Sequence, residues 1–268
     1  MNFKDKIVLV TGGASGIGKI MVRKALERKA ACVVIWDINE VGLQQTLNEF
    51  EHFDSKILIF KVDVSNLEAI QNTATKVLSE LKYIDILINN AGIVVGKYFH
   101  EHTALDISKT MAINSDAIMQ ITLAFLPEMM KRNSGSICNI ASSAGLISNP
   151  KMSVYAASKW AAVGWSDSLR LEMKQLNKNI SVTTIMPFYI NTGMFDGVQS
   201  KLLPILEPES TAERIIKAIE KQTKMLAMPL PYWFIRLSQG ILPLSIFEWV
   251  MGNIFGIYDG MKNFKGRS

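Results

Sequence analysis

The chain has 268 residues, 49% of them hydrophobic and 20% charged, which excludes intrinsic disorder as its main state and fits one large α/β domain. Lys and Arg total 29 against 24 Asp and Glu, a net charge of +5 that permits attraction to anionic lipids or nucleotides, but no nucleic-acid-binding motif accompanies it. The two cysteines, Cys32 and Cys138, lie in apolar runs and are too few for a disulfide framework or a zinc cage; they read as buried, reduced thiols of a cytoplasmic protein, and no metal site is expected.

From the N-terminus, Met1-Asn2-Phe3-Lys4-Asp5-Lys6 runs directly into the strand-like Ile7–Val10, without the apolar core or cleavage site of a signal peptide. Further strand candidates are Cys32–Trp36, Lys56–Val62, Ile84–Ile88, Ser136–Ile140 and Ser181–Met186. Between them lie helical stretches at Ile17–Lys29, Glu40–Glu51, Leu67–Leu81, Ser108–Arg132 and Val154–Leu176. Strand and helix in strict succession predict a doubly wound parallel sheet with helices on both faces. Near-continuous apolar strands such as Ile84-Asp85-Ile86-Leu87-Ile88 fit a sheet covered on both sides. After about Met225 the pattern changes to a tail rich in Leu, Ile, Phe, Trp, Met and Pro. No charge-free apolar run reaches about 18 residues, so no transmembrane helix is expected.

The first chemical signal is Thr11-Gly12-Gly13-Ala14-Ser15-Gly16-Ile17-Gly18, between the first strand and the first helix. Glycines there permit a tight turn and close approach of the backbone to a pyrophosphate, and the free N–H groups of the helix start face its oxygens. Asp37 follows at the end of the second strand, 19 positions after Gly18. A carboxylate there accepts hydrogen bonds from ribose hydroxyls and repels a 2′-phosphate, which favours NAD over NADP. The competing structural role for Asp37 is a cap on the next helix.

The second signal is a Ser/Tyr/Lys set. Tyr155 and Lys159 are four apart, on one face of a predicted helix. A phenol with a free pKa of about 10 is a poor base at neutral pH, but a neighbouring ammonium and an oxidised nicotinamide favour the phenolate. Tyr155 then takes the proton of an alcohol while hydride leaves its carbon. Ser142 ends the fifth strand, placed to hold the substrate oxygen.

In order and spacing, the turn at Thr11–Gly18, Asp63-Val64, Asn89-Asn90-Ala91-Gly92, Asn114, Ser142 and Tyr155-Ala-Ala-Ser-Lys159 resemble the short-chain dehydrogenase/reductase family over roughly residues 5–195. That resemblance implies a Rossmann-like, seven-stranded parallel sheet and a Ser-Tyr-Lys site with an auxiliary Asn. By it, Tyr155 is the catalytic acid/base, Lys159 binds the nicotinamide ribose and tunes Tyr155, Ser142 polarises the substrate carbonyl, and Asn114 anchors a relay water. The cofactor residues it implies are Gly12, Ser15, Gly16, Ile17 and Gly18 at the turn, Asp37 and Ile38 at the adenosine, and Asp63 and Val64 at the adenine. Asn90, Ala91 and Gly92 line the ribose, with Tyr155, Lys159, Pro187, Ile190 and Thr192 nearer the nicotinamide. Asn89 is expected to brace the sheet. The domain then runs over residues 1–225, with 226–268 a helical extension rather than an independent domain.

One position departs from the family pattern: Pro187-Phe188 stands where Pro-Gly is usual. At a finer level, Trp36-Asp37-Ile38-Asn39, Pro187–Gly193, Leu202–Pro208 and the ending Tyr258–Arg267 resemble the branch holding retinol dehydrogenases and 17β-hydroxysteroid dehydrogenases of lipid droplets and endoplasmic reticulum. Members of that branch usually carry an N-terminal hydrophobic anchor, which the first residues here do not show.

The loop after the sixth strand, with Phe188, Tyr189, Met194, Phe195, Val198, Leu202 and Leu203, has no Arg or Lys between Asn191 and Ser200 to grip an anion. An apolar pocket suits a small hydrophobic substrate, and Ser142, Tyr155, Phe188, Met194 and Phe195 are the expected substrate residues. In the tail, Pro229, Pro231, Pro243 and Glu248 oppose a spanning helix and predict two short amphipathic helices joined at Gly240–Pro243. They could form a lid over the cleft, a subunit contact, or a peripheral membrane contact with Arg236, Lys262, Lys265 and Arg267 near headgroups. The sequence therefore reads as an NAD-dependent oxidoreductase for a retinoid, steroid or long-chain alcohol, with a homodimer or homotetramer implied by the resemblance. The alternatives are a 3-oxoacyl thioester reductase, which more often uses NADPH, and a nucleotide-bound, membrane-associated scaffold with little turnover.

Overall fold

In the computed structural model, residues 1–266 are described; Arg267, expected near headgroups, lies outside them. The elements in chain order are β1 (Ile7–Thr11), α1 (Gly16–Glu27), β2 (Cys32–Asp37), α2 (Glu40–Phe50), β3 (Lys56–Lys61), α3 (Leu67–Leu81) and β4 (Ile86–Asn89). There follow α4 (Ala104–Met111), α5 (Ala117–Arg132), β5 (Gly135–Ile140), α6 (Ser153–Gln175), β6 (Ile180–Pro187), α7 (Pro208–Glu220), β7 (Met225–Met228), α8 (Tyr232–Ile241) and α9 (Leu244–Trp249). The strands form one parallel sheet of seven in the order β3-β2-β1-β4-β5-β6-β7, the Rossmann-like α/β fold expected from the motifs.

The period of two along each strand splits the core between the faces. Val8, Val10, Val33, Ile35, Ile86 and Ile88 pack with Met21 and Val22 of α1 and Ile215 and Ile219 of α7. Leu9, Val34, Trp36, Leu87, Ile137 and Val182 point the other way, onto Ile70 of α3, Ile121 and Phe125 of α5 and Leu169 of α6. Helix starts are set locally. Asn39 accepts a hydrogen bond from Gly42 N at the head of α2, and Asn66 does the same from Ala69 N at α3.

Three features differ from the sequence expectation. The stretch read as one helix over Ser108–Arg132 is α4 and α5 joined by a π-turn at Ala112–Asp116, and α4 begins earlier because Thr103 and Asp106 form a capping box. Apolar periodicity continues through the π-turn, so it is silent about the extra residue. The strand β7 was not among the six candidates. It is four residues long, Met-Leu-Ala-Met, without a β-branched residue, and its place comes from pairing with Thr184–Pro187 of β6. It spans the expected boundary at residue 225. The other predicted ends fall within two residues of the observed ones.

The tail forms the expected pair of short helices, α8 and α9, with Leu242 and Pro243 between them. Their inner residues Ile235 and Phe247, with Met251 and Ile257, join Met186, Met225 and Ala227 in a third apolar cluster. Cys32 and Cys138 are free and buried, and burial raises both thiols, Cys32 to about 11, which leaves them unreactive.

Candidate active site

The sheet order reverses between β1 and β4, so the loops leaving these two strands diverge and open a crevice at their C-terminal ends. The glycine turn shapes one wall. Gly12 and Gly16 have φ of +64° and +55°, which side-chain-bearing residues avoid. Gly18 has no room for a Cβ, which would run into the Gly12 carbonyl and lie 2.6 Å from Asn90 Nδ2. Asn90 Nδ2 donates to the Thr11 and Gly12 carbonyls (2.9 and 3.1 Å), while Thr11 Oγ1 accepts from the backbone N–H groups of Asn90 and Ala91 (2.9 and 3.0 Å). These four bonds tie the ends of β1 and β4 together across 79 residues of chain. The bracing role of Thr11 has no local sequence signal, because its partners come from another strand.

The crevice is an open cavity of about 290 Å³. Every expected cofactor residue lines it: Gly12, Ser15, Gly16, Ile17, Gly18, Asp37, Ile38, Asp63, Val64, Asn90, Ala91, Gly92, Tyr155, Lys159, Pro187, Ile190 and Thr192. Asp37 is held at its rim, with Oδ2 accepting from Ala14 N and Oδ1 from Asn39 N, both at 3.0 Å. Each oxygen keeps a second lone pair for an outside donor. The cap of α2 is Asn39, so Asp37 is not spent on capping. Asp63 accepts from Ser65 N and Oγ at 2.9 and 2.7 Å. A cradle without room for side chains, a helix start without acidic residues and a rim carboxylate together fit a dinucleotide.

Three of the four expected catalytic residues line this cavity: Ser142, Tyr155 and Lys159. Ser142 follows β5, and its Oγ accepts from Ala144 N at 3.1 Å. Tyr155 is buried on α6, edge-on to Phe195 at 6.2 Å between ring centres. Lys159 Nζ donates to the Ile140 carbonyl at 3.0 Å and lies 5.7 Å from the centre of the Tyr155 ring. Burial pushes the Tyr155 phenol up to about 12, and the neighbouring Ser142 side chain pulls the other way. Burial pushes the Lys159 ammonium down to about 8. The expected lowering of Tyr155 by Lys159 is thus not a property of the protein alone. The ammonium turns toward the end of β5, and desolvation dominates the phenol.

Asn114 does not line the cavity. It sits in the π-turn, buried, where Oδ1 accepts from Ile93 N (2.9 Å) and Nδ2 donates to the Ile93 carbonyl (2.9 Å) and Ser158 Oγ (3.1 Å). Its side chain fastens the loop after β4 to α6. Asn89 is the sheet brace, donating to Asn139 Oδ1 at 2.8 Å and Thr122 Oγ1 at 3.1 Å.

A second, small cavity of about 30 Å³ adjoins the first, and the two share Ser142 and Phe188. Its walls are mostly apolar: Ala144, Ile147, Met152, Met186, Leu203, Met228, Leu230, Ile235 and Ile257, with Asn149 and Tyr189 among the few polar groups. Asn149 Nδ2 donates to Tyr189 Oη at 2.9 Å. Of the expected substrate residues, Ser142 and Phe188 face both cavities, whereas Tyr155, Met194 and Phe195 face the larger one. The methionines escaped sequence reasoning because they come from α6's approach, β6 and β7, with no shared motif. Phe188 in place of glycine adopts no left-handed backbone, packs on Tyr189 at 4.4 Å between ring centres, and so costs no strain.

A family model described as short chain dehydrogenase matches residues 6–202. Estradiol 17-beta-dehydrogenase 11 of Macaca fascicularis is 36% identical over 239 residues, covering 89% of this chain and 79% of that protein. Epidermal retinol dehydrogenase 2 of Homo sapiens is 35% identical over 268 residues, covering 98% and 86%. The crystal structure of a Burkholderia phymatum short chain dehydrogenase/reductase in complex with NAD superposes with a TM-score of 0.81 at 23% identity, covering 90% of this chain and 95% of that one, a likeness of fold. The family model spans the glycine cradle and the rim carboxylate, the parts of the chain that fit a dinucleotide. With its motifs gathered around one cavity and named dehydrogenases matching most of its length, the chain belongs to the short-chain dehydrogenase family and is an oxidoreductase of the alcohol dehydrogenase/reductase type.

Proposed function

We propose that this enzyme interconverts a hydrophobic alcohol of retinoid, steroid or long-chain type with its ketone or aldehyde, using NAD. The observation that carries this reading is the apolar cavity that meets the dinucleotide cavity at Ser142. The names of the relatives, a retinol and an estradiol dehydrogenase, support the same substrate class. Asp37 supports NAD, since its carboxylate accepts from ribose hydroxyls and repels a 2′-phosphate. A bound nicotinamide supplies the hydride acceptor. The Ser142 hydroxyl holds the substrate oxygen, and Tyr155 Oη takes the alcohol proton during oxidation and returns it during reduction. Lys159 contributes positive charge beside the ribose position. Exposed Leu123 on α5 and Trp160 and Leu171 on α6 support a homodimer or homotetramer through these helices. The two free thiols support a reducing, cytoplasmic compartment.

The test is absorbance of the reduced nicotinamide, with NAD and NADP in parallel against retinol, a steroid alcohol, a long-chain alcohol and a short secondary alcohol. Turnover of a lipophilic alcohol with NAD is the expected result. Preference for NADP would promote the acyl-thioester reductase, and tight NAD binding with no turnover would promote the scaffold. Oxidation needs the phenolate of a group held near about 12, so its kcat should rise with pH from about 6 to 9. Reduction uses the neutral phenol and should not rise with it. A falling oxidation rate over that range would count against Tyr155 as the base.

Cofactor choice has its own check. Asp37→Ser combined with Ile38→Arg removes the repelling carboxylate and adds a cation at the rim. The ratio of kcat/KM for NADP over NAD should rise about 100-fold. An unchanged ratio would show that Asp37 does not read the ribose.

A further inference from the structure

Among the described residues, the polar side chains on the wall of the smaller cavity are Ser142, Ser143, Asn149 and Tyr189. Ser142 is shared with the cofactor crevice and holds the reacting oxygen. Asn149 and Tyr189 have no part in that chemistry. They come from separate segments, Asn149 ahead of α6 and Tyr189 just after β6, and they meet only in the folded chain.

Their bonding capacity exceeds what the protein uses. Asn149 Nδ2 donates to Tyr189 Oη at 2.9 Å, but Asn149 Oδ1 is buried and has no partner. The Tyr189 hydroxyl donates to the Met152 sulfur at 3.8 Å, a weak acceptor. Burial raises the Tyr189 pKa, so the phenol keeps its hydrogen. Turning the amide over would pair its oxygen with the Tyr189 hydroxyl and leave Nδ2 over instead, so one amide atom stays unpaired in either orientation. An unpaired buried amide atom is costly and calls for a partner from outside.

A hydroxyl group, donor and acceptor at once, fits the pair in either orientation of the amide. Its hydrogen goes to Asn149 Oδ1 while its oxygen accepts from Tyr189 Oη. A hydrocarbon satisfies neither atom. The cavity, about 30 Å³, has room for a group of that size, and Met152, Met186 and Met228 are flexible walls that adapt to the carbons carrying it. An alcohol held at Ser142 lies at the junction of the two cavities, so its neighbouring carbons extend along these walls.

We propose that Asn149 and Tyr189 are specificity-determining residues that bind a second hydroxyl of the substrate. Lipophilic diols and hydroxyketones are then preferred over alcohols with a single oxygen. The preference in turnover rests on the lipophilic-alcohol reading above, whereas the binding of the second hydroxyl rests on the cavity alone.

The test uses the full chain with NAD and matched substrates: decanol with the decanediols, and a steroid monoalcohol with its diols, the second hydroxyl moved stepwise along each skeleton. Wild-type kcat/KM should favour at least one diol over its monoalcohol by about tenfold or more. Asn149→Leu, close in size, should bring that ratio to about one or below, and Tyr189→Phe should lower it by a smaller factor. A residue that only shaped the wall would move both members of a pair together. Thermal midpoints without substrate show that each variant folds, and midpoints with each compound read binding without turnover. Equal handling of every pair by wild type, or a diol preference that survives both substitutions, would overturn the proposal and leave the amide to an ordered water. A diol-selective rise in midpoint, lost in Asn149→Leu, without turnover of any compound would uphold the second-hydroxyl site and remove the oxidation reading instead. Neither turnover nor a shift with any pair would remove both.

Discussion

Tyr155→Phe is expected to lower kcat for a lipophilic alcohol about a thousandfold while NAD affinity changes little. The substitution removes one oxygen and keeps the ring that packs edge-on to Phe195, so the cavity wall stays in place. What is lost is, among the described residues, the only phenol that lines the larger cavity, next to Ser142. The buried phenol of the smaller cavity, Tyr189, cannot replace it. Its hydroxyl faces Asn149 Nδ2 and the Met152 sulfur, and burial raises its pKa still further. The check is steady-state turnover beside a titration of NAD binding. A variant retaining more than about a tenth of wild-type kcat would remove Tyr155 from the acid/base role.

Lys159→Met should produce an enzyme that is both inactive and more stable. Lys159 is 5% exposed, and burial lowers its pKa from 10.5 to about 8. A lowered ammonium pKa means that the folded state disfavours the charged form. The penalty is fully present below pH 8 and fades as pH rises toward 10.5, because over that window the unfolded chain binds more protons. The shift corresponds to about 3 kcal/mol. Methionine removes that cost but leaves the Ile140 carbonyl without its donor at 3.0 Å, a loss of about 1–2 kcal/mol. The net gain near pH 7 is about 1–2 kcal/mol, or a few degrees in thermal midpoint. Melts at about pH 7 and 9.5 read it directly: wild type should close on the variant as pH rises. A variant less stable than wild type at both pH values would show that the ammonium is well solvated in its site. The expected loss of turnover together with a gain in stability would mark Lys159 as a charge kept for chemistry.

These two residues also show where sequence reading reaches its limit. Their spacing places both on one face of α6, and their chemistry follows from residue type. Their pKa values do not, because desolvation depends on the side chains that surround them, contributed by strands and loops far away in the chain. Asn114 makes the same point. Its motif position was legible, but the π-turn that aims its amide at Ile93 and Ser158 was not, since one extra residue leaves no mark in apolar periodicity.

The sequence by itself determined the parallel sheet with helices on both faces, the glycine turn, the carboxylate at the end of β2 and the Tyr-Lys pair, because each rests on local chemistry: period, turn geometry and spacing along one helix. Even the paired tail helices were readable from their prolines. Tertiary structure alone decided which residues form the seventh strand, the bridge from Thr11 to Asn90, the methionine-lined cavity and which side of α8 faces it. Each of these depends on contacts between segments distant in the chain, where pairing and burial outweigh any local preference.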